Sequence, residues 1–147
     1  MNKNIFPIAK PHVKTEAEIF LESRDILFRR TSAGMLVVKD SIYLNDQGLG
    51  KLPDLSNVVV EGSFHCQNNA LTSLKGGPRI VKGGYFCHNN SLQSLEGAPW
   101  EVGGAFDCRH NNLTTLEHAP RRVKALFWCA ANALRSLAGA PEQVGGT

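Results

Sequence analysis

The sequence contains no apolar run long enough to cross a bilayer, and its first seven residues lack the apolar stretch of a secretory signal. Charged residues make up 20% of the chain and leave a net charge of only +3, which is too small to indicate a nucleic-acid binder by itself. The hydrophobic content of 42% is typical of a folded chain. We therefore expect a soluble cytoplasmic protein without a membrane partner, in which the four cysteines are thiols.

Motifs for catalysis and for cofactor binding are also missing. The sequence has no Ser-His-Asp arrangement, P-loop, dinucleotide fingerprint or His-Glu-x-x-His motif. Its cysteines lie 21 residues apart, whereas structural zinc sites use pairs about two to four residues apart. His65, His88 and His110 form an alternative metal set, but exposed recognition residues are the favoured interpretation. We expect no enzyme activity, no cofactor and no metal site.

What the sequence does contain is a period of 21 residues, with seven columns in register over four copies. The columns hold an aromatic residue, Cys, Asn, two Leu, Pro and Val. In chain order they are Phe64, Tyr85, Phe106 and Phe127; Cys66, Cys87, Cys108 and Cys129; Asn69, Asn90, Asn111 and Asn132; Leu71, Leu92, Leu113 and Leu134; Leu74, Leu95, Leu116 and Leu137; Pro78, Pro99, Pro120 and Pro141; Val81, Val102, Val123 and Val144.

One unit reads aromatic-x-Cys-x-x-Asn-x-Leu-x-x-Leu, followed by Gly-Ala-Pro or a near variant and then Val. This unit resembles the leucine-rich repeat, in the short form found in bacterial and phage proteins. The resemblance covers residues 42–147 and implies a leucine-rich-repeat solenoid, with parallel β-strands on a concave face and an irregular convex side. We expect one degenerate repeat followed by four regular ones. In the degenerate repeat, Tyr43 is aligned with Phe64 and Asn45 with Cys66.

The columns also predict the interior of the solenoid. Because side chains alternate along a strand, the aromatic and Cys columns point together into the core. The Asn column lies where the chain leaves the strand, and its side-chain amide is expected to satisfy backbone groups that the turn leaves unpaired. The Pro column and the glycine pairs Gly83-Gly84 and Gly103-Gly104 are expected to shape the return path on the convex side.

The two ends of the repeat region differ. Residues 1–41 show no repeat, and we predict a small α/β N-terminal cap with a helix at about 15–28 and a strand at about 35–39. The helix prediction rests on a capping box at Thr15-Glu18 and an apolar stripe formed by Ile19, Phe20, Leu27 and Phe28. The last repeat is rich in alanine and has no cap. A truncated chain, an end-to-end homodimer through this repeat, and a docked partner are three explanations that stay open.

The outward-facing strand positions differ from copy to copy, so we interpret them as free to serve recognition. The first outward column reads His65, Phe86, Asp107 and Trp128, and the alternation places its two large aromatics in water. Exposed aromatics beside charged residues are typical of a protein-binding hot spot. The flanking column Asn68, Asn89, His110 and Ala131 varies as well. The predicted partner-binding residues are His65, Gln67, Phe86, His88, Asp107, Arg109 and Trp128.

These observations favour a non-catalytic protein–protein interaction module that binds a partner protein through its concave strand face. The resemblance adds the expectation of a bacterial or phage effector or inhibitor of a host protein. Nucleic-acid binding is the alternative, with base stacking on the solenoid, a basic patch near the N-terminus and a basic stripe on the convex return path. The basic residues concerned are Lys10, His12, Lys14, Arg29, Arg30, Arg79, Lys82, Arg121, Arg122 and Lys124.

Overall fold

Residues 10–146 are described by a computed structural model, in which the repeated columns form a β-solenoid of about five coils. Residues 1–9 and 147 lie outside the described residues. The start of the predicted N-terminal cap and the segment expected to lack a secretory signal therefore lie outside them as well. The elements are α1 (Glu16–Ser23), β1 (Phe28–Arg30), β2 (Leu36–Val38), β3 (Ile42–Tyr43), β4 (Val58–Val60), β5 (Phe64–His65), β6 (Ile80–Val81), β7 (Tyr85–Phe86), β8 (Glu101–Val102), β9 (Phe106–Asp107), β10 (Arg122–Val123), β11 (Phe127–Trp128) and β12 (Gln143–Val144).

Each coil contributes one short strand to each of two sheets. The five-stranded sheet runs in the order β3-β5-β7-β9-β11, and all its strands are parallel. The seven-stranded sheet runs β1-β2-β4-β6-β8-β10-β12 and is parallel except for the antiparallel pair β1 and β2. The predicted irregular convex side is therefore wrong. The valine column forms the second sheet because its β-branched side chains suit a strand buried on one face.

The first coil is one residue longer than the others, which shifts its predicted register. Ile42 pairs with Phe64 and lies in the core, whereas Tyr43 pairs with His65 and is 60% exposed. The predicted alignment of Tyr43 with Phe64, and with it that of Asn45, is wrong. Compared with the next coil, the first coil has one extra residue between Leu52 and Val60. The insertion therefore lies after β3, the strand that this coil contributes to the five-stranded sheet. A shift by one residue exchanges the two faces of a strand.

The core is a set of ladders that run along the solenoid. Phe64, Tyr85, Phe106 and Phe127 follow one another with ring centroids 5.1, 5.4 and 5.7 Å apart. The cysteines are free thiols, and all but Cys129 are fully enclosed. Burial raises the pKa of the other three thiols, because the apolar interior disfavours the charged thiolate. They therefore act as small hydrophobic side chains and not as nucleophiles.

The asparagine column forms the predicted hydrogen bonds to the backbone. Nδ2 of Asn90 donates to the carbonyl of Cys87 in its own coil and to that of Cys66 in the previous coil, at 3.1 and 3.0 Å. Its Oδ1 accepts a hydrogen bond from the backbone N–H of Leu71. The same pattern recurs at Asn111 and in the neighbouring copies. Each amide thus joins two successive coils and satisfies buried backbone groups that have no strand partner.

The column that precedes these asparagines adopts left-handed backbone. Asn68, Asn89, His110 and Ala131 all have φ between 52° and 57°. Asn and His are enriched in this region, so the fold restricts this column more than the sequence interpretation allowed. Ala131 is the exception, because alanine has no polar side chain to support the conformation.

We expect Ala131→Asn to raise the free energy of unfolding by about 1 kcal/mol, because the left-handed conformation costs an ordinary residue roughly 1–2 kcal/mol and Asn less. Chemical denaturation measures the change. Ala133→Asn is the matched control, since Ala133 is an exposed alanine of the same coil outside the left-handed set. Equal effects of the two substitutions would contradict a conformational origin.

The N-terminal segment continues the seven-stranded sheet through β2, which pairs with β4. The capping box is present: the Thr15 side chain accepts from the Glu18 N–H, and Glu18 accepts from the Thr15 N–H. The helix nevertheless ends at Ser23, five residues before the predicted boundary, and Phe28 begins a strand. Asp25 has a φ of 56°, a left-handed turn that helical backbone cannot continue through.

The predicted apolar stripe of this helix is also wrong. Ile19 is 56% exposed and Leu27 86%, and the buried helix face consists of Ala17, Glu18 and Leu21. With eight residues, this helix is far shorter than the roughly 20 residues that a bilayer-spanning helix needs, and no other segment within 10–146 offers such a span.

The buried Glu18 carboxylate makes the stability of this segment depend on pH. The hydrogen bond from the Thr15 N–H, followed by contacts with His12 and Arg30, lowers the pKa of Glu18 from 4.5 to about 2. The stabilisation is therefore complete above about pH 4.5, where the unfolded carboxyl is also ionised, and is lost as the pH falls towards 2. We expect Glu18→Gln to be less stable than wild type at pH 6 and the gap to narrow at pH 3, as measured by denaturant unfolding at both values. A gap that stays constant would rule out this carboxylate as the titrating group.

The last coil is the least covered part of the solenoid. β11 and β12 each pair on one side only within the described residues. Leu137 is 70% exposed and Val144 43%, and Phe127 is partly exposed, whereas their counterparts in earlier coils are buried. Among the described residues, this coil therefore exposes more of its apolar side chains than the earlier coils do.

Candidate functional site

The candidate site is the outward face of the five-stranded sheet, which we call the ladder face. Its first column consists of Tyr43, His65, Phe86, Asp107 and Trp128, which pair in register across β3, β5, β7, β9 and β11. Its second column consists of Gln67, His88 and Arg109, two residues further along each coil. The structure thus brings all seven predicted residues together. Sequence reasoning missed Tyr43, because the extra residue of the first coil concealed its register.

Three rings of the first column form a continuous stack. The Tyr43 and His65 centroids are 4.7 Å apart and those of His65 and Phe86 4.9 Å apart, with the rings within 20° of parallel. The rings cover one another's faces, so Phe86 is only partly exposed rather than surrounded by water as predicted. Burial, aided by the neighbouring His88, lowers the pKa of His65. Both effects favour the neutral imidazole over the charged one.

Asp107 lies at the centre of the face. It is only 2% exposed, so it is not the exposed contact residue that the sequence predicted. Its carboxylate accepts from Nε and Nη2 of Arg109 at 3.0 and 2.8 Å and from the Arg109 backbone N–H at 3.1 Å. These bonds raise the pKa of Arg109. The Arg109 guanidinium also lies over the Trp128 ring, 5.0 Å from its centroid. Asp107 therefore positions Arg109, and Arg109 in turn covers one face of Trp128.

Two polar atoms of the face are buried without a hydrogen-bond partner among the described residues, Gln67 Oε1 and His88 Nδ1. His88 Nδ1 is 3.2 Å from Asp107 Oδ2, but the two atoms are not aligned for a hydrogen bond, so their contact is electrostatic. A buried polar group without a partner costs roughly 1–3 kcal/mol. Both side chains therefore gain from any reorientation that provides a partner.

The ladder face does not gather metal ligands. His65 is held in the ring stack, His88 lies beside Asp107, and His110 is an exposed residue of the left-handed turn. Across residues 10–146, no group of three or more His, Cys, Asp or Glu side chains is arranged to hold a metal ion.

The basic residues of the alternative hypothesis are mostly neutralised by neighbouring carboxylates. Glu61 pairs with Lys82, Glu101 with both Arg122 and Lys124, and Glu142 with Arg121. Near the N-terminus, Lys14 pairs with Glu22, and Glu18 pairs with His12 and Arg30. Among the convex-side residues of that hypothesis, Arg79 makes no ion pair within the described residues. Glu101 is shared by two cations, so the pairing reduces the positive charge that faces a phosphate backbone without cancelling it.

Comparison with protein-family models, with curated proteins and with solved structures gives no match for this chain. Its class is therefore defined by geometry: it is a short repeat solenoid whose coils form two sheets of parallel strands, one of them extended by the antiparallel strand β1. One of its faces combines stacked aromatic rings with an ordered arginine.

Proposed function

We propose that this protein is a non-catalytic interaction module that binds a partner protein through the ladder face. The observation that carries the proposal is the pre-ordered cluster at the centre of the face, in which Asp107 holds Arg109 against Trp128. Arg, Trp and other aromatic residues dominate protein-binding hot spots. Ordering them before binding reduces the entropy lost on association.

The arrangement of the face supports the same proposal. The carboxylate of Asp107 is buried and already accepts hydrogen bonds from Arg109. The face therefore offers a partner hydrogen-bond donors and ring edges. Within residues 10–146, Gln67 and His88 each carry a buried polar atom without a partner, which the backbone or a side chain of a partner protein can satisfy once the side chain reorients. An acidic or amide-rich partner surface with a hydrophobic centre has the complementary chemistry.

Nucleic-acid binding has weaker support. Base stacking needs an open ring face, whereas Tyr43, His65 and Phe86 stack on one another and Arg109 covers one face of Trp128. The cations of the convex side are largely paired. If nucleic acid were the ligand, its affinity would fall steeply with added salt, which filter binding at two salt concentrations measures.

Three finer attributes belong to the same proposal. We propose that the repeats are of the leucine-rich type, on the strength of their sequence unit, and that residues 10–41 act as a cap, because β2 extends the seven-stranded sheet beyond the first coil. We also propose a cytoplasmic location, supported by four cysteines that are free thiols. A role as a bacterial or phage effector or inhibitor of a host protein rests on the repeat resemblance alone.

Affinity purification from the native cells, read by quantitative mass spectrometry, tests the proposal. The test variant is Phe86→Ala combined with Trp128→Ala, and a milder variant is Phe86→His, which places at β7 the residue that β5 carries at the equivalent position. We expect the double variant to recover at least about tenfold less of a protein that the wild type recovers. This factor corresponds to about 1.4 kcal/mol of binding free energy.

Leu27→Ser is the matched control, since Leu27 is a large, exposed apolar residue outside the ladder face. Thermal unfolding of each variant separates lost binding from lost folding. Full retention of every wild-type partner by a folded double variant would refute a role for the ladder face.

A further inference from the structure

Apart from the ladder face, the solenoid carries a second unusual surface on the outward side of the seven-stranded sheet. Trp100 is 63% exposed, and Ile80, one coil earlier, is 44% exposed. Trp100 shares its column with Arg79, Arg121 and Glu142, so the fold does not require an aromatic residue there. Ile80 shares its column with Glu101 and Arg122. Two large apolar side chains therefore lie side by side at positions where the last two coils carry charged or polar side chains.

Trp100 borders three neighbouring grooves, with volumes of about 590, 590 and 310 Å³. The first groove, which we call the Trp100 groove, is lined by Ile80 and Trp100 and bordered by Arg79, Lys82, Glu101 and Lys124. Arg121 lies 4.4 Å from the Trp100 ring centroid and lines the second groove but not the first. The indole is thus fixed by Arg121 while it remains available towards Ile80.

The charged residues at the rim of this groove determine which ligand charge the groove favours. Lys82 is paired with Glu61 at 2.8 Å, and Lys124 with Glu101 at 2.9 Å. Arg79 lines the Trp100 groove and makes no ion pair within residues 10–146. The groove therefore presents an apolar slot beside one uncompensated guanidinium, which pairs well with a single carboxylate.

From this juxtaposition we propose that the Trp100 groove is a second binding site, which takes an extended acidic peptide segment of a partner protein. An apolar side chain of the peptide packs between Ile80 and Trp100, and a neighbouring Asp or Glu pairs with Arg79. A polyanion fits less well, because Lys82 and Lys124 already contact carboxylates at this rim and, of the lining cations among the described residues, only Arg79 does not. The grooves continue past Trp100 onto the next coil, which suits an extended chain rather than a compact small molecule.

A library of short random peptides, displayed and selected on the immobilised full chain, tests this proposal. We expect the selected sequences to share an apolar residue next to Asp or Glu. Fluorescence anisotropy of a selected peptide should show binding at least about tenfold weaker to Arg79→Gln and to Trp100→Ser, and within about twofold of wild type to Phe86→His. The last variant separates this groove from the ladder face.

Ile80→Glu provides a second variant that the fold accommodates, because Glu101 occupies the equivalent position one coil later. It should also weaken binding by at least about tenfold. Selected peptides that lack acidic residues, or that bind Trp100→Ser as tightly as wild type, would overturn the proposal. Binding of oligothymidylate that depends on Trp100 and Arg79 would overturn it too, since the groove would then recognise a polyanion.

Discussion

Replacing Asn111 with alanine is expected to lower the free energy of unfolding by about 4 kcal/mol, one of the two largest effects of any single substitution considered for this fold. Nδ2 of Asn111 donates to the carbonyls of Cys87, Cys108 and Arg109 at 3.1, 3.1 and 3.2 Å, and its Oδ1 accepts from the Leu92 N–H at 2.9 Å. Asn111 is only 7% exposed, so water cannot replace these bonds. Each buried group left unpaired costs roughly 1–3 kcal/mol.

Chemical denaturation of two matched variants separates this effect from a general loss of side-chain polarity. Asn112→Ala changes an exposed asparagine next to it and should stay within about 0.5 kcal/mol of wild type. Asn132→Ala removes the equivalent set of hydrogen bonds in the last coil, where solvent has access, and should cost less than Asn111→Ala. A loss below about 1 kcal/mol at Asn111 would show that the ladder contributes little to stability.

Phe106→Ala is expected to cost a similar amount, about 4 kcal/mol. The ring is fully buried and lies between Tyr85 and Phe127, with centroids 5.4 and 5.7 Å away. The backbones of the flanking coils are joined by the strand ladders and the asparagine bonds, so the cavity cannot close.

Phe127→Ala is the natural control for Phe106→Ala, since it removes the same side chain from the same column. Phe127 is partly exposed in the last coil, so its burial is incomplete, and we expect a loss of about 2 kcal/mol. Denaturant unfolding of both variants measures the difference. Equal losses would mean that the last coil is covered in solution, by a second copy of the chain or by an added partner.

Seven of the eight ladder-face residues could be predicted because strand alternation applies within each regular coil. Tyr43 could not, because one extra residue between Leu52 and Val60 shifts the first coil by one position. Nor could the burial of Asp107, which depends on the side chains that the adjacent coils place beside it. Arg109 reaches Asp107 from two residues away, and His88 approaches it from the preceding coil.

The N-terminal segment shows the limit of local signals. The capping box at Thr15 and Glu18 depends on neighbouring residues and was predicted correctly. The end of the helix was not, because the left-handed turn at Asp25 leads into a strand that pairs with β2. Antiparallel pairing with the next strand of the chain outweighed the local apolar stripe.

The repeated columns by themselves determined the solenoid, the inward ladders and the role of the asparagines in the turns. Each of these depends on contacts between identical positions of successive coils, and a strict 21-residue period specifies such contacts directly. Only the tertiary structure decided the second parallel sheet, the register of the first coil, the partial burial of Phe86 and the grooves around Trp100. The last three of these features arise where successive coils carry different residues or different lengths, so they depend on how unlike side chains pack across the spacing between coils.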